Sequence, residues 1–218
     1  LPMSTVKRIM ENKSCEVLIN FMYEDLNRFI RLPQNEKHVT ELFGGSIEWK
    51  KEKDIKDSQK RYFFLTSLYE KQLRSQCGEC YIRTFDMINQ HNKNDYVLFF
   101  VTKNKLGLEK MKEAMWRVDD TGNFKFSDAS YNPEQMVLFD APDYNKLKRM
   151  ILDKYAGSRV SIEELSDFVL IETPFLPKSH LKTPVLKPME DNGEIKVYGT
   201  RKRKGTFPDG VIIEFMKK

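Results

Sequence analysis

The sequence predicts an α/β sheet followed by a small, mostly helical basic module, and three observations predict it. Strand and helix signals alternate through residues 1–118 and close on two strand-length runs joined by a polar turn. Beyond Pro142 the pattern changes to three short helices. The chain then ends on two apolar runs, Ile195-Lys-Val-Tyr198 and Val211-Ile-Ile-Glu-Phe215, flanking four consecutive cations, Arg201, Lys202, Arg203 and Lys204.

In order along the first part, Met3 to Met10 reads as the tail of a short helix, and Glu16 to Met22 as an apolar strand. A helix with apolar positions at Leu26, Phe29 and Ile30 follows. Residues 33–57 are polar and are expected to form a loop around Phe43-Gly-Gly-Ser46, ending in the charged run Lys50 to Asp57. A long amphipathic helix covers Ser58 to Arg74, with Phe64, Leu65, Leu68 and Leu73 at helical spacing. Tyr81 to Ile88 and Tyr96 to Thr102 read as a hairpin through the turn Asn89 to Asp95, and a final helix runs from Gly107 to Trp116. This is the layout of the second half of an open α/β sheet. Such sheets hold cofactor on a glycine-rich turn behind an early strand, but no G-x-G-x-x-G occurs and Gly44-Gly45 is a lone pair. No cofactor is expected in this chain.

Residues 119–141 read as a connector, rich in Asp, Asn, Ser and Gly. In 142–218, Asp143 caps a helix to Tyr155 that Gly157 ends, and Ser161-Ile-Glu-Glu164 is a capping box opening a second helix to Ile171. Lys178 to Lys187 forms a third, and Asp191-Asn-Gly193 turns into the terminal hairpin. Three helices followed by a basic two-stranded hairpin is the winged helix-turn-helix order, with Arg201 to Lys204 on the wing.

The chain has 218 residues, 40% of them apolar, enough for a core in one large or two small domains. Its apolar runs are strand-length, so neither a membrane-spanning helix nor a secretory signal is expected. Three cysteines, Cys15, Cys77 and Cys80, are too few for a disulfide scaffold and fit a reducing cytoplasm. The chain starts Leu1-Pro2 without an initiator Met, and is expected to be a fragment or an incompletely read gene product. Its formal charge of +5 resides entirely in Lys178 to Lys218, where ten cations face five anions. Charge concentrated in one module is an electrostatic footprint for a polyanion.

Candidate sites divide accordingly. Cys77-x-x-Cys80 leads into a strand, whereas redox pairs open a helix, and zinc would need two further ligands; a structural turn is the simpler reading. His38, His91 and His180 are scattered, with no nucleophile motif nearby. Glu24 and Asp25 stand at a strand-to-helix junction, where they would cap the helix or serve catalysis. Trp49, beside Lys50 and Lys51, would stack on a base or pack as a half-buried loop aromatic. No catalytic residue and no metal site are assigned. The basic C-terminal set is the strongest candidate. Lys178, Ser179, His180, Lys182 and Thr183 would give a recognition helix its polar reach, Lys187 and Lys196 add charge, and Arg201, Lys202, Arg203 and Lys204 would neutralise phosphates. That helix offers no Arg, Asn or Gln, the usual readers of base edges, so weak sequence specificity is expected. A winged helix used for docking another protein is the alternative.

The stretch Tyr96-Val-Leu-Phe-Phe-Val-Thr-Lys-Asn-Lys-Leu-Gly-Leu-Glu-Lys-Met-Lys-Glu-Ala-Met-Trp116 resembles the L-F-F-x-T/S-x-x-x-x-G-x-x-x-M-K-x-x-M-W/Y run of the three-Cys-motif partner proteins. Leu1 to Ile9, Glu16 to Met22 and Leu26 to Phe29 resemble the segment behind that family's D-P-F/Y-G strand end, and Val185 to Lys196 with the basic wing resembles its C-terminal winged helix. The resemblance implies a methyltransferase-like Rossmann domain joined to a winged helix, in bacteria or phages, often beside a radical-SAM-like protein that bears the three cysteines. DNA or RNA is the partner expected of the winged helix from its basic residues. The chain begins just after the D-P-F/Y-G position, so the turn that would hold S-adenosylmethionine lies upstream. A methyltransferase completed by that upstream half is the rival to a non-catalytic accessory protein.

Overall fold

The computed structural model describes residues 1–128 and 142–217, which divide into two compact units. The first takes in 1–111 and continues from Phe124, and the second takes in 112–123 and the residues from 142 onward.

In the first unit, helix α1 (Met3–Glu11) buries Met3, Val6 and Met10, and strand β1 (Val17–Phe21) and helix α2 (Tyr23–Phe29) follow as expected. The polar segment 33–57 is not a loop. It winds into a 3-10 turn at Pro33–Asn35, helix α3 (Glu36–Leu42) and a 3-10 helix at Glu48–Asp54. Three apolar anchors, Val39, Phe43 and Trp49, hold it to the core, and buried Glu52 accepts both Arg31 Nε and Nη2 at 3.0 Å. A few anchors suffice because each residue between them has only to close its own backbone hydrogen bonds.

Helix α4 (Ser58–Cys77) starts where the Asp57 carboxylate accepts the Lys60 N–H at 2.7 Å, and it ends at Gly78. Its Tyr62, Leu65, Leu68, Tyr69 and Leu73 are all buried, so the expected stripe is core. Phe21, Phe43, Tyr69 and Phe99 meet around it as edge-to-face and tilted ring pairs. Strands β2 (Tyr81–Ile88) and β3 (Asn94–Thr102) form the expected hairpin; Asn89 Oδ1 closes its turn by accepting the N–H groups of His91 and Lys93. Helix α5 (Lys105–Val118) follows.

The expected connector contains a strand. Strand β4 (Lys125–Ser127) runs parallel to β2, with Phe124 buried and its ring stacked on Phe85. Positions 129–141 of that connector lie outside the described residues. The sheet is mixed, in the order β1-β3-β2-β4. β3 is antiparallel to both β1 and β2, so those two run parallel to each other. β1 stands at an edge, with Leu18 56% exposed on it.

The second unit starts earlier than the expected winged domain at 142, because the last turns of α5 belong to it. Helix α6 (Tyr144–Tyr155) is capped by Asp143, strand β5 (Arg159–Ser161) follows, and helix α7 (Ile162–Glu172) is capped by the Ser161 hydroxyl, which accepts the Glu164 N–H at 3.1 Å. The third helix is wound as a π-helix over Pro177–Leu186 before continuing as helix α8 (Lys187–Asp191). Two backbone features account for the wider winding. Pro184 has no N–H for the α pattern, and the Lys187 N–H reaches back to the Lys182 carbonyl. Strands β6 (Ile195–Tyr198) and β7 (Ile212–Phe215) complete a three-stranded sheet in the order β5-β7-β6, antiparallel throughout. Leu147, Ile151, Leu165, Val169, Leu181, Leu186, Val211, Ile213 and Phe215 form the core between helices and sheet.

Candidate nucleic-acid interface

The wing begins where β6 runs out. Gly199, at φ +113°, lies so close to the Val211 backbone that a Cβ would stand 3.3 Å from its Cα, so only glycine turns the chain there. The return is pinned by Phe207, buried in the core, and by the Gly210 N–H, which donates to Glu163 Oε1 at 2.6 Å.

Between these points, the basic turn closes on one carboxylate. Glu190 of α8 is buried, and its Oε1 and Oε2 accept Arg201 Nη2 and Nη1 at 2.6 and 2.9 Å. The same Oε2 accepts the Gly205 N–H at 2.9 Å. The Arg201 guanidinium, then burial opposing it, then the Gly205 N–H set the balance that holds this carboxyl below the usual range. Gly205 takes φ +76° against the Lys187 side chain, whose stem comes within 3.2 Å of where a Cβ would be. Lys204 Nζ pairs with Asp191 at 3.1 Å. The wing is thereby fastened to α8 at residues 187, 190 and 191.

The expected site residues separate into three groups. Lys178, Ser179, Thr183 and Lys187 are exposed and Lys182 half-buried; Lys178, Lys182 and Lys187 follow one another at four and five residues, the spacing of one face across the π-helix and into α8. Lys196, Lys202, Arg203 and Lys204 are exposed on the hairpin. Arg201 and His180 are placed elsewhere. Arg201 is engaged bidentately by Glu190, so its charge is largely neutralised within the fold and it does not project as a loop cation. His180 is buried among Trp116, Phe175 and Tyr144, with ring centroids 4.4, 5.8 and 6.1 Å away. Its Nδ1 accepts the Leu176 N–H at 3.0 Å, capping the start of the π-helix. Burial, reinforced by the charge of Lys112, pushes its pKa down to about 4, which keeps that acceptor unprotonated.

Two arrangements escaped the sequence reading. Lys112, fully buried, donates its ammonium to the carbonyls of Val169, Leu170, Thr173 and Phe175, at the turn between α7 and the recognition element. Trp116 Nε1 donates to the Pro174 carbonyl of the same turn at 2.9 Å. A cation is at home there, where a helix ends in unpaired carbonyls. On the outer face of the small sheet, Glu214 accepts from Arg159 Nε at 3.0 Å and from the Tyr198 hydroxyl at 2.6 Å, while the guanidinium lies over the Tyr198 ring.

The other candidates resolve toward structure. Trp49 is buried and donates to Thr40 Oγ1 at 3.2 Å. Cys77 is buried in the last turn of α4, and burial raises its thiol and that of Cys80, against the thiolate needed for redox or metal chemistry. Glu24 and Asp25 sit in the first turn of α2. Among the described residues no group of three or more His, Cys, Asp or Glu could hold a metal ion, and no helix is long and apolar enough to cross a membrane.

Residues 123–201 match the family described as the GMT-like wHTH domain, a span that starts two residues before β4 and ends at the first cation of the wing. No curated protein and no solved structure matches the chain. With the order α6, β5, α7, π-helix and α8, β6, wing, β7, the chain contains a winged helix-turn-helix domain.

Proposed function

We propose that the winged helix-turn-helix domain binds nucleic acid through its phosphate backbone, with weak sequence preference. The observation that carries this is the basic edge formed by Lys178, Lys182 and Lys187 together with Lys202, Arg203 and Lys204, exposed or half-exposed side chains joined at the wing's fastening to α8. Cations alone position a duplex without reading it. The exposed recognition positions offer no guanidinium or carboxamide for a base edge. The test is fluorescence anisotropy with two unrelated duplex DNAs and a duplex RNA at several salt concentrations. Affinities for the two DNAs that agree within a few-fold and fall steeply with salt support the reading, and binding to none of the three contradicts it.

In this reading the first unit is a methyltransferase-like remnant, supported by two parallel strands, β1 and β2, with antiparallel β3 between them. No S-adenosylmethionine site belongs to this reading: Gly44 and Gly45 follow helix α3 and Gly78 follows α4, so these left-handed glycines do not stand in a glycine-rich turn behind a strand. The chain thus acts as an accessory module of the three-Cys-motif partner type, working in the cytoplasm beside a radical-SAM-like protein. Docking of a protein on the winged domain is the second reading, favoured by one observation: Tyr198 and Ile212 pair across β6 and β7 and both are exposed.

A further inference from the structure

We infer that Glu190 is a positioning residue of the nucleic-acid interface: a buried carboxylate that organises the basic turn, so that an acidic side chain strengthens binding to a polyanion. The inference rests on the nucleic-acid reading of the winged domain. Its basis is the double engagement of one side chain at both ends of a five-residue turn. At the front of the turn, Glu190 takes Arg201 bidentately, and at the back it takes the Gly205 N–H. Lys202, Arg203 and Lys204, between those two anchors, therefore form the apex of a closed loop. The apex cations are exposed, and of the three Lys204 pairs with Asp191, the next residue along α8. Gly205 is held where the left-handed backbone lets the chain pass over the Lys187 stem. Lys187 of the recognition element and the cations of the wing thus become one continuous edge.

Arg201 serves the fold rather than the ligand. A guanidinium satisfied on both arms by a buried carboxylate has little left for a phosphate, and freeing it would strand the carboxylate. A flexible loop would lose backbone entropy as its cations meet phosphates, whereas a closed turn has lost much of that loop entropy in folding. Glu190 trades one unit of positive charge for preorganisation of two or three.

This trade yields opposite signs in experiment. In the full chain, Glu190→Gln keeps the shape of the side chain and raises the net charge by one. If charge alone governs binding, a duplex DNA of mixed sequence, about 20 base pairs long, will bind the variant more tightly. If Glu190 positions the turn, binding weakens roughly three- to tenfold, as expected for disordering one or two surface contacts. Arg201→Lys preserves total charge but loses the bidentate bond, and is expected to weaken binding by a similar factor with the fold intact by circular dichroism. Lys202→Ala/Arg203→Ala is the control for the underlying reading. Weakening by all three variants supports the inference. An unchanged or tighter Glu190→Gln and Arg201→Lys beside a weakened Lys202→Ala/Arg203→Ala overturns the positioning role alone. No effect from any of them overturns the nucleic-acid reading as well.

Discussion

Lys112 donates to the Leu170 carbonyl at 2.9 Å from a position with no solvent exposure, and three further carbonyls of the same turn share its ammonium. A buried lysine is costly unless its charge and donors are matched, and here the carbonyl end of α7 and the turn behind it match both. The winged domain therefore depends on residues that precede the matched span 123–201. We predict that Lys112→Met lowers the unfolding free energy of the second unit by about 2–4 kcal/mol, the usual range for removing one partner of a buried ionic hydrogen-bond set. Urea denaturation followed by tryptophan fluorescence measures it, since Trp116 packs beside His180 in that core. A loss below about 0.5 kcal/mol would place Lys112 among ordinary surface substitutions and contradict the assignment.

The same relationship sets where the domain can be cut. A fragment beginning at residue 105 carries Lys112 and Trp116, and is expected to melt cooperatively. One beginning at 142 is expected to melt at a clearly lower temperature, because Pro174 and the α7 carbonyls lose their donors. Equal melting temperatures would show that the α5 residues add nothing.

His180 makes stability depend on pH. Its pKa in the folded chain is pushed down to about 4 from an ordinary 6.5. As pH falls below about 6.5 the unfolded chain takes up a proton that the folded chain refuses, so stability is lost from there down to about pH 4 and no further below it. The loss is on the order of 2–3 kcal/mol. Comparing wild type with His180→Asn by urea melts from pH 7 to pH 4.5 isolates it, because the carboxylates titrate alike in both. The wild type should lose more stability than the variant; parallel curves would contradict a buried, neutral imidazole.

Among the described residues, strand β1 leaves one hydrogen-bonding edge unpaired, and neither Lys nor Pro stands on it between Val17 and Phe21. Leu18 and, on the adjoining segment, Met22 and Phe29 are exposed. Edges of this kind recruit further strands. The chain is expected to self-associate with rising concentration, and Leu18→Lys to reduce that association, both read by sedimentation velocity. A monodisperse wild-type monomer across the concentration range would contradict the prediction.

Much of this was legible in the sequence where one residue signals one element. Asp143 and Ser161 announce their helices because a cap acts within three residues, and the α4 stripe announces its buried face by periodicity. Segment 33–57 was illegible because only Val39, Phe43 and Trp49 carry its burial amid charged neighbours. β4 and β5 are three residues each, too short for alternation to register. The roles of Arg201 and His180 were hidden for a different reason. A cation in a basic run looks exposed until its partner is known, and Glu190 belongs to another element. Likewise the imidazole in Lys178-Ser-His180 looks polar, although the aromatic cage that buries it includes Trp116, far back in the chain.

The salt dependence of duplex binding by the full chain and by Lys202→Ala/Arg203→Ala tests most directly whether the wing lies on phosphates. Each phosphate neutralised in duplex DNA contributes about −0.9 to the slope of log affinity against log salt. Both side chains are exposed, so the double variant is expected to keep its fold to within about 0.5 kcal/mol. It should bind unrelated sequences more weakly and flatten the slope by roughly 1 to 2 units. A folded double variant with unchanged affinity and unchanged slope would take the wing out of the nucleic-acid interface.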